Sequence, residues 1–546
     1  MVKIEIYSTL RDGSQDPDLD LTLADKLKMA KMDDQVGVPF IELGWPYSNP
    51  SDRRIYEFVK ESGLNAKITA FGSTGKINLK PEKDDNLRAI VETNAPIATI
   101  FGKSWLLHVH KQLKATQEQN LETISNSIRF LKRHHEQVFY DAEHFFDGFN
   151  DNAKYALQCI DTAIEAGADR TILCDTNGGA FQWDIREVTK SVIEYLIKNG
   201  KNTKLGIHVH NDGGLGVANS LEFVELAKEP RYKPFIVQVQ GTFAGFGERI
   251  GNADLFQILG NLDRMKVTTD IDPHRTALTD YYRDLCEIAG VRPNPNHPFV
   301  GTNAGRHKAG VHLDGVLKGA SYDFYDLRRV GNEGSVVMSD QAGTANWAYL
   351  AKKFGYEVDK TNPKVRAMLD EFKAMKSRGY RIGALEAEHY LLVAKHLSGV
   401  RGLFSITHHK VVDEDGTSIC DLEGRVNGSS VKATKKVKGG PVDATYHAMQ
   451  ELLSGKYESI KDVELSDYRV KKIDDEENLG AAAKVRVRVE FKYTANGKTV
   501  YLENEGVNHD VIKASREVIE KGFRYHLLRH EKSMTKSLIP SPIMRP

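Results

Sequence analysis

The stretch Gly206-Ile207-His208-Val209-His210-Asn211-Asp212-Gly213-Gly214 puts two imidazoles, an amide and a carboxylate where an apolar run gives way to glycine. Read as the end of a strand, it turns His208 and His210 to one side and Val209 to the other, because strand side chains alternate between faces. Two imidazoles so placed can share one ion. Two ordinary histidines at a strand edge would produce the same pattern, so the decision rests on the rest of the chain.

Seven further β-branched or apolar runs share its character, and with it they read as strands over 3–9, 40–44, 67–72, 97–102, 137–141, 170–174, 204–210 and 235–241. Segments with apolar residues at helical spacing separate them, for example 24–36 and 152–166. Strands alternating with helices imply a parallel sheet, and eight such units imply a closed (β/α)₈ TIM barrel. The alternative, an open doubly wound sheet, would place a G-x-G-x-x-G turn after the first strand, and none is there.

A barrel of this kind carries its chemistry in the loops after the strands. Polar residues collect there: Arg11 and Asp12, Glu42 and Trp45, Ser73 and Thr74, Lys103, Glu143 and His144, Asp175 to Asn177, the His208/His210 pair, and the glycine-rich loop 241–254 with Glu248, Arg249 and Asn252. Each alone reads equally well as a turn or cap residue. Glycines in the last loop either permit a tight turn or let backbone approach a ligand.

Past residue 265 the pattern becomes irregular. Pro293, Pro295 and Pro298 mark a connector that carries His307 and His312, followed by helical patterns over 345–353, 363–375 and 383–397. From residue 401 the texture turns to strands over 403–412, 429–437, 460–473, 481–493 and 498–503, with helices over 442–453 and 510–528. The expected organisation is a catalytic barrel over 1–270, connector subdomains over 271–400, an α+β regulatory and dimerisation domain over 401–531, and a proline-containing tail over 532–546. Val442, Tyr446, Met449 and Leu453 share one helix face and are expected to pack on a sheet.

Lys+Arg and Asp+Glu both number 75, so no global field favours nucleic acid or an anionic membrane. Cys159, Cys174, Cys286 and Cys420 are too dispersed for a thiolate metal site or a disulfide framework, which suits a reducing cytoplasm. No run approaches the ~20 apolar residues of a membrane span, and the first residues lack the apolar core of a signal peptide.

If Asp12, His208 and His210 share one divalent cation, with Asn252 as a further oxygen ligand, the donor set suits Zn²⁺, Mn²⁺, Co²⁺ or Mg²⁺ without selecting among them. Such a site can chelate a 2-oxo acid and polarise its carbonyl. Arg11 would then stabilise charge growing on that oxygen. Glu143 is the candidate base for generating a carbon nucleophile, a salt bridge to Arg11 being the bland reading and one that would itself orient both groups, and His312 is a second candidate for proton transfer.

The segments Ser8-Thr-Leu-Arg-Asp-Gly-Ser-Gln15, Leu173-Cys-Asp-Thr-Asn-Gly-Gly179, His208-Val-His-Asn-Asp212 and Gly247-Glu-Arg-Ile-Gly-Asn-Ala-Asp-Leu255 resemble the hallmarks of the DRE-TIM metallolyases, the family of 2-isopropylmalate, homocitrate and citramalate synthases. Gly44-Trp-Pro-Tyr-Ser-Asn-Pro50, Ile100-Phe-Gly-Lys-Ser-Trp-Leu-Leu-His-Val109 and Tyr140-Asp-Ala-Glu-His-Phe-Phe-Asp-Gly148 resemble its citramalate synthase branch. The resemblance implies condensation of acetyl-CoA with pyruvate, hydrolysis of the thioester and a place in isoleucine synthesis. It implies Asp12, His208 and His210 as metal ligands, Asn252 at or beside the metal, and Arg11 on the keto acid. Glu143 and Thr176 fall at substrate-pocket positions, and His312 matches a histidine that enters the site, often from a partner subunit. It further implies a homodimer with an amino-acid effector such as isoleucine. The alternatives are the same condensation on another 2-oxo acid, as in 2-isopropylmalate synthesis, and a catalytically weakened regulatory paralogue. The chain departs from the family at Tyr7, where Asp is usual, so a barrel-interior layer must pack differently. It also departs at Ala244, where Asn is usual, and at 305–306, 339–344 and 435–441.

Overall fold

The computed structural model describes residues 2–306, 324–332, 337–338, 342–398, 403–473, 483–495 and 498–530. They fall into two compact units, the first drawn from Met1–Gly305 with Tyr325–Gly334 and the second from the remainder.

In the first unit eight parallel strands close into a barrel in sequence order: β1 Glu5–Thr9, β2 Phe40–Gly44, β3 Lys67–Ser73, β4 Ile97–Lys103, β5 Gln137–Glu143, β6 Arg170–Asp175, β7 Lys204–Val209 and β8 Ile236–Gly241. Each expected strand is present, with ends shifted by one or two residues. The helices between them start where the sequence supplies acceptors for free backbone N–H groups. Thr22 and Asp25 form a reciprocal cap on helix Leu23–Gln35, Thr116 and Gln119 do so on Gln117–Leu131, and Asn49 caps Pro50–Lys60. The helix expected over 152–166 starts earlier, at Phe145, but bends at Asn152, whose side chain accepts from Tyr155 N and begins the second segment. The core also extends past residue 265: helix Leu278–Ile288 contributes Leu278, Tyr281, Tyr282 and Leu285 to it.

Inside the barrel Tyr7, Phe40, Ile97 and Phe139 form a buried cluster of their own. Tyr7 fills the layer that the departure at this position required to pack differently, and its rings-in-contact partners are Phe40 and Phe139, each 6.2 Å away. The Arg170 guanidinium lies 4.5 Å from the Phe139 ring centroid and 5.1 Å from that of Phe40, and it donates to Glu5 at 2.7–3.0 Å. This cation closes one end of the barrel interior. Above the aromatic layer the interior turns polar, with Glu42, Thr99, Asp141 and His208 all buried.

The second unit holds helices Thr344–Lys353, Pro363–Ser377 and Glu386–Leu397 and two three-stranded antiparallel sheets. One sheet comprises β9 Phe404–Glu414, β10 Thr417–Val426 and β11 Ser429–Val437, and the other β12 Glu464–Ile473, β13 Lys484–Ala495 and β14 Lys498–Asn508. Each sheet is followed by a helix, Pro441–Ser454 and Val511–His530. Tyr446, Met449 and Leu453 are buried, as the helical face predicted, and Val442 packs against the same core. β10 was absent from the sequence expectation; it alternates Ser418, Cys420, Leu422 and Val426 inward with Asp421, Glu423 and Arg425 outward, and its small inner residues obscure the alternation. No helix among the described residues is long and apolar enough to cross a membrane.

Arg170→Met should destabilise the barrel by about 3 kcal/mol, the low end for breaking a buried pair because Glu5 retains some exposure. Urea denaturation checks this, and a loss of less than about 1 kcal/mol would show that the guanidinium is not needed to close the interior.

Candidate metal centre and active-site rim

β1 runs into a single helical turn, Leu10–Gly13, which turns Arg11 and Asp12 into the barrel mouth. β7 ends with His208 and His210 on the same side, as the alternation predicted, and both are buried. The Nε2 atoms of the two imidazoles lie 3.3 Å apart, and Asp12 Oδ2 is 3.2 Å from that of His208 and 3.8 Å from that of His210. One ligand atom from each of the three residues falls within 4.8 Å of the others, the geometry of a shared ion.

Burial alone would raise the Asp12 carboxyl, but Arg11 beside it and the His208 hydrogen bond hold it well below the usual carboxylate range. Burial disfavours the His208 cation, yet Asp12 outweighs that and its pKa is raised. His210, which burial and then the charge of His208 push down and which has no comparable hydrogen bond to Asp12, falls to about 4. One of the two imidazoles is therefore neutral, and with a proton on Nδ1 its Nε2 lone pair points at a neighbouring nitrogen and a carboxylate. That convergence of donors suits a cation.

The strand-eight loop supplies a fourth candidate ligand, an oxygen. His210 bridges to Asn252 as an isolated antiparallel pair, and Asn252 N donates to Gly245 O at 3.0 Å. This fold-back requires glycine at 251, with φ +97° and Gly245 O 1.9 Å from where a Cβ would stand. Asn252 Nδ2 donates to Phe246 O at 3.3 Å, while its buried Oδ1 has no partner among the described residues. A buried amide oxygen without a donor fits a place at or beside a metal. Residues Asp12, His208, His210 and Asn252 thus fit the group on the chemistry of their donors. Glu248 does not face inward but is exposed, and Arg249 is tied to Asp212 at 2.7 and 2.9 Å and to the Thr176 carbonyl at 3.0 Å.

Arg11 pairs with Glu42, Nε to Oε1 at 2.8 Å, and its guanidinium lies 3.8 Å from the Phe71 ring centroid. The possibility of an Arg11–Glu143 pair is therefore corrected: Glu143 forms its ion pair with Lys103, its register neighbour across β4 and β5. The second oxygen of Glu42 accepts from the Tyr7 hydroxyl at 2.8 Å, which links the barrel-interior departure to the arginine. Trp45 stands edge-on to Phe71 and Phe101 at 5.9 and 5.7 Å, making an aromatic wall beside Arg11. Thr176 Oγ1 accepts from His144 N at 2.8 Å, and Asp175 holds the following turn by accepting from Gly179 N.

Sequence reasoning passed over Asp141, which lies one layer below the rim. Burial, then the charge of Glu42, pushes its carboxyl up to about 7. Its place on β5, two residues before Glu143, was the available signal. His307 and His312 lie outside the described residues.

Residues 3–281 match the HMGL-like family, and residues 385–527 match the LeuA allosteric (dimerisation) domain. The (R)-citramalate synthase of Aquifex aeolicus is 38% identical over 97% of this chain and 98% of its own. That of Sulfolobus acidocaldarius is 37% identical over 98% of both chains. The 2-isopropylmalate synthase of Pyrococcus furiosus is 28% identical over 94% of this chain and 97% of its own. The chain belongs to the HMGL-like family, in the group that contains the (R)-citramalate synthases.

Proposed function

We propose that the chain condenses acetyl-CoA with pyruvate and hydrolyses the resulting thioester, releasing citramalate and CoA, as a step toward isoleucine. The observation that carries this is the Asp12/His208/His210 set with Arg11 fixed beside it, in a chain whose 36–38% identical relatives over nearly their whole length are (R)-citramalate synthases.

Asp12, His208 and His210 would hold a divalent cation, Mn²⁺, Mg²⁺, Zn²⁺ or Co²⁺, with Asn252 at or beside it. When bound, it would chelate the 2-oxo acid and polarise its carbonyl. Arg11, whose orientation is fixed by Glu42 and Phe71, would bind the keto acid and neutralise the alkoxide that grows as carbon attacks. Glu143, oriented by Lys103, would take a proton from the acetyl methyl, with His312 as a further candidate for proton transfer. Thr176 Oγ1, held in place at the rim, would face the same pocket. The Trp45–Phe71–Phe101 wall crowds the Arg11 side, which supports a small 2-oxo acid.

The match to the LeuA allosteric (dimerisation) domain supports a homodimer and an allosteric role for the 401–531 region, and an end-product amino acid, isoleucine, would be its effector. Residues 271–400 would be the connector, its first helix, Leu278–Ile288, packed on the barrel core. Zero net charge gives no reason to expect a nucleic-acid partner.

CoA release measured across pyruvate, 2-oxoisovalerate and 2-oxoglutarate should favour pyruvate in kcat/KM by about ten-fold or more. Equal rates would contradict the substrate assignment, and absence of CoA release would favour a regulatory paralogue. Glu143→Gln should lower kcat by about 10²–10⁴ with little change in the KM for pyruvate. If KM rose as much as kcat fell, Glu143 would instead be shaping the pocket.

A further inference from the structure

The residue after β5, His144, sits in the left-handed region with φ 53° and ψ 42°. For a residue with a Cβ this conformation costs on the order of 1–2 kcal/mol, and it persists only where its surroundings fix it. Three contacts do so. His144 N donates to Thr176 Oγ1 at 2.8 Å, Gly148 N donates to His144 O at 2.9 Å, and Nδ1 lies 2.8 Å from Asp147 Oδ2. Asp147 in turn accepts from Asn177 Nδ2 at 3.1 Å. Burial would raise the Asp147 carboxyl, but His144 and Asn177 hold it below its ordinary value, so it is ionised and can only accept. The proton of a neutral His144 therefore sits on Nδ1, which leaves the Nε2 lone pair without a hydrogen-bond donor among the described residues. The side chain is 16% exposed, enough to be reached by water.

Among the described residues beside this ring, the other polar groups are less well placed to act as a second base next to Glu143. The His108 ring stands perpendicular to it at 4.5 Å, and burial, then the charges of His144 and Lys103, pulls the His108 pKa down. Lys103 is engaged by Glu143, and Trp105, 5.7 Å from His144, gives its Nε1 proton to Asp151. A carboxylate orienting an imidazole whose far nitrogen stays open is the arrangement of a general base. The reaction needs two such bases, one for the methyl proton and one for water.

We propose that His144, oriented by Asp147, activates the water that hydrolyses the thioester, an inference that rests on the two-stage reaction given under Proposed function. His144 Nε2 takes a proton from water as the water oxygen bonds to the thioester carbonyl carbon. The tetrahedral adduct then collapses with cleavage of the C–S bond. Sulfur leaves with the bonding pair and takes the proton from the imidazolium, giving the free carboxylic acid and CoA thiol. His144 is the catalytic residue of this stage and Asp147 its positioning residue, while Glu143 and His312 belong to the condensation.

The test uses the full-length protein with Mn²⁺, acetyl-CoA and pyruvate, and separately with synthetic citramalyl-CoA, following citramalyl-CoA and free CoA by mass spectrometry. His144→Asn is the informative variant, since asparagine tolerates positive φ but supplies no base. It should slow hydrolysis of supplied citramalyl-CoA by about 10²–10⁴ and raise the ratio of citramalyl-CoA to free CoA formed from acetyl-CoA by about ten-fold or more. Asp147→Asn should slow hydrolysis less. The fall should be in kcat with the KM for citramalyl-CoA unchanged, as expected when a base is misoriented rather than a pocket reshaped. Unchanged hydrolysis in His144→Asn, or hydrolysis and condensation falling in parallel with no thioester accumulating, would overturn the assignment. A wild-type protein that consumes no acetyl-CoA with any 2-oxo acid would instead overturn the reading on which it rests.

Discussion

Two imidazole nitrogens 3.3 Å apart, both facing one Asp12 carboxylate oxygen inside a closed barrel, are the constraint on which the rest depends. Two ring nitrogens and a carboxylate oxygen converge there, and when the imidazoles give up their protons three electron-rich atoms face one another. A divalent cation removes that repulsion. The surrounding structure is arranged to keep the set in place: the helical turn Leu10–Gly13 presents Asp12, β7 presents the histidines, and the fold-back of loop 241–254 brings Asn252 against His210.

Charge is graded along the barrel interior. At one end Arg170 lies over Phe40 and Phe139, and Tyr7 completes that aromatic layer. Above it the Tyr7 hydroxyl reaches Glu42, which fixes Arg11, so a residue in the barrel interior bears on the orientation of a rim cation. Asp141, pushed up to about 7 by burial and by Glu42, holds a proton for part of the time at neutral pH and so adds less than a full negative charge to this layer. Ionised carboxylates are thus paired with cations or hydrogen-bond donors, and the one without such a partner tends to hold its proton, as low-dielectric surroundings require.

The barrel was legible because its strands are buried on both faces and read as apolar runs closed by polar residues. The pair at 208 and 210 gave its orientation through strand alternation alone. The partner of Arg11 was not legible: Glu42 and Glu143 are both rim carboxylates, and only closure of the barrel decides that the first meets the arginine and the second Lys103. Asp141 was concealed inside a strand, and the left-handed backbone of His144 leaves no mark in composition. β10 was missed because its inward residues Ser418 and Cys420 are small and weaken the alternation.

Whether Asp12, His208 and His210 hold one divalent cation is tested by calorimetric titration of the metal-stripped protein and of its Asp12→Asn variant with Mn²⁺. The expected result is one tightly bound ion per chain in the wild type and an affinity lower by on the order of 100-fold or more in the variant, since the amide retains the shape but not the charge of the ligand. Equal affinity in the two proteins, or no binding in the wild type, would contradict it.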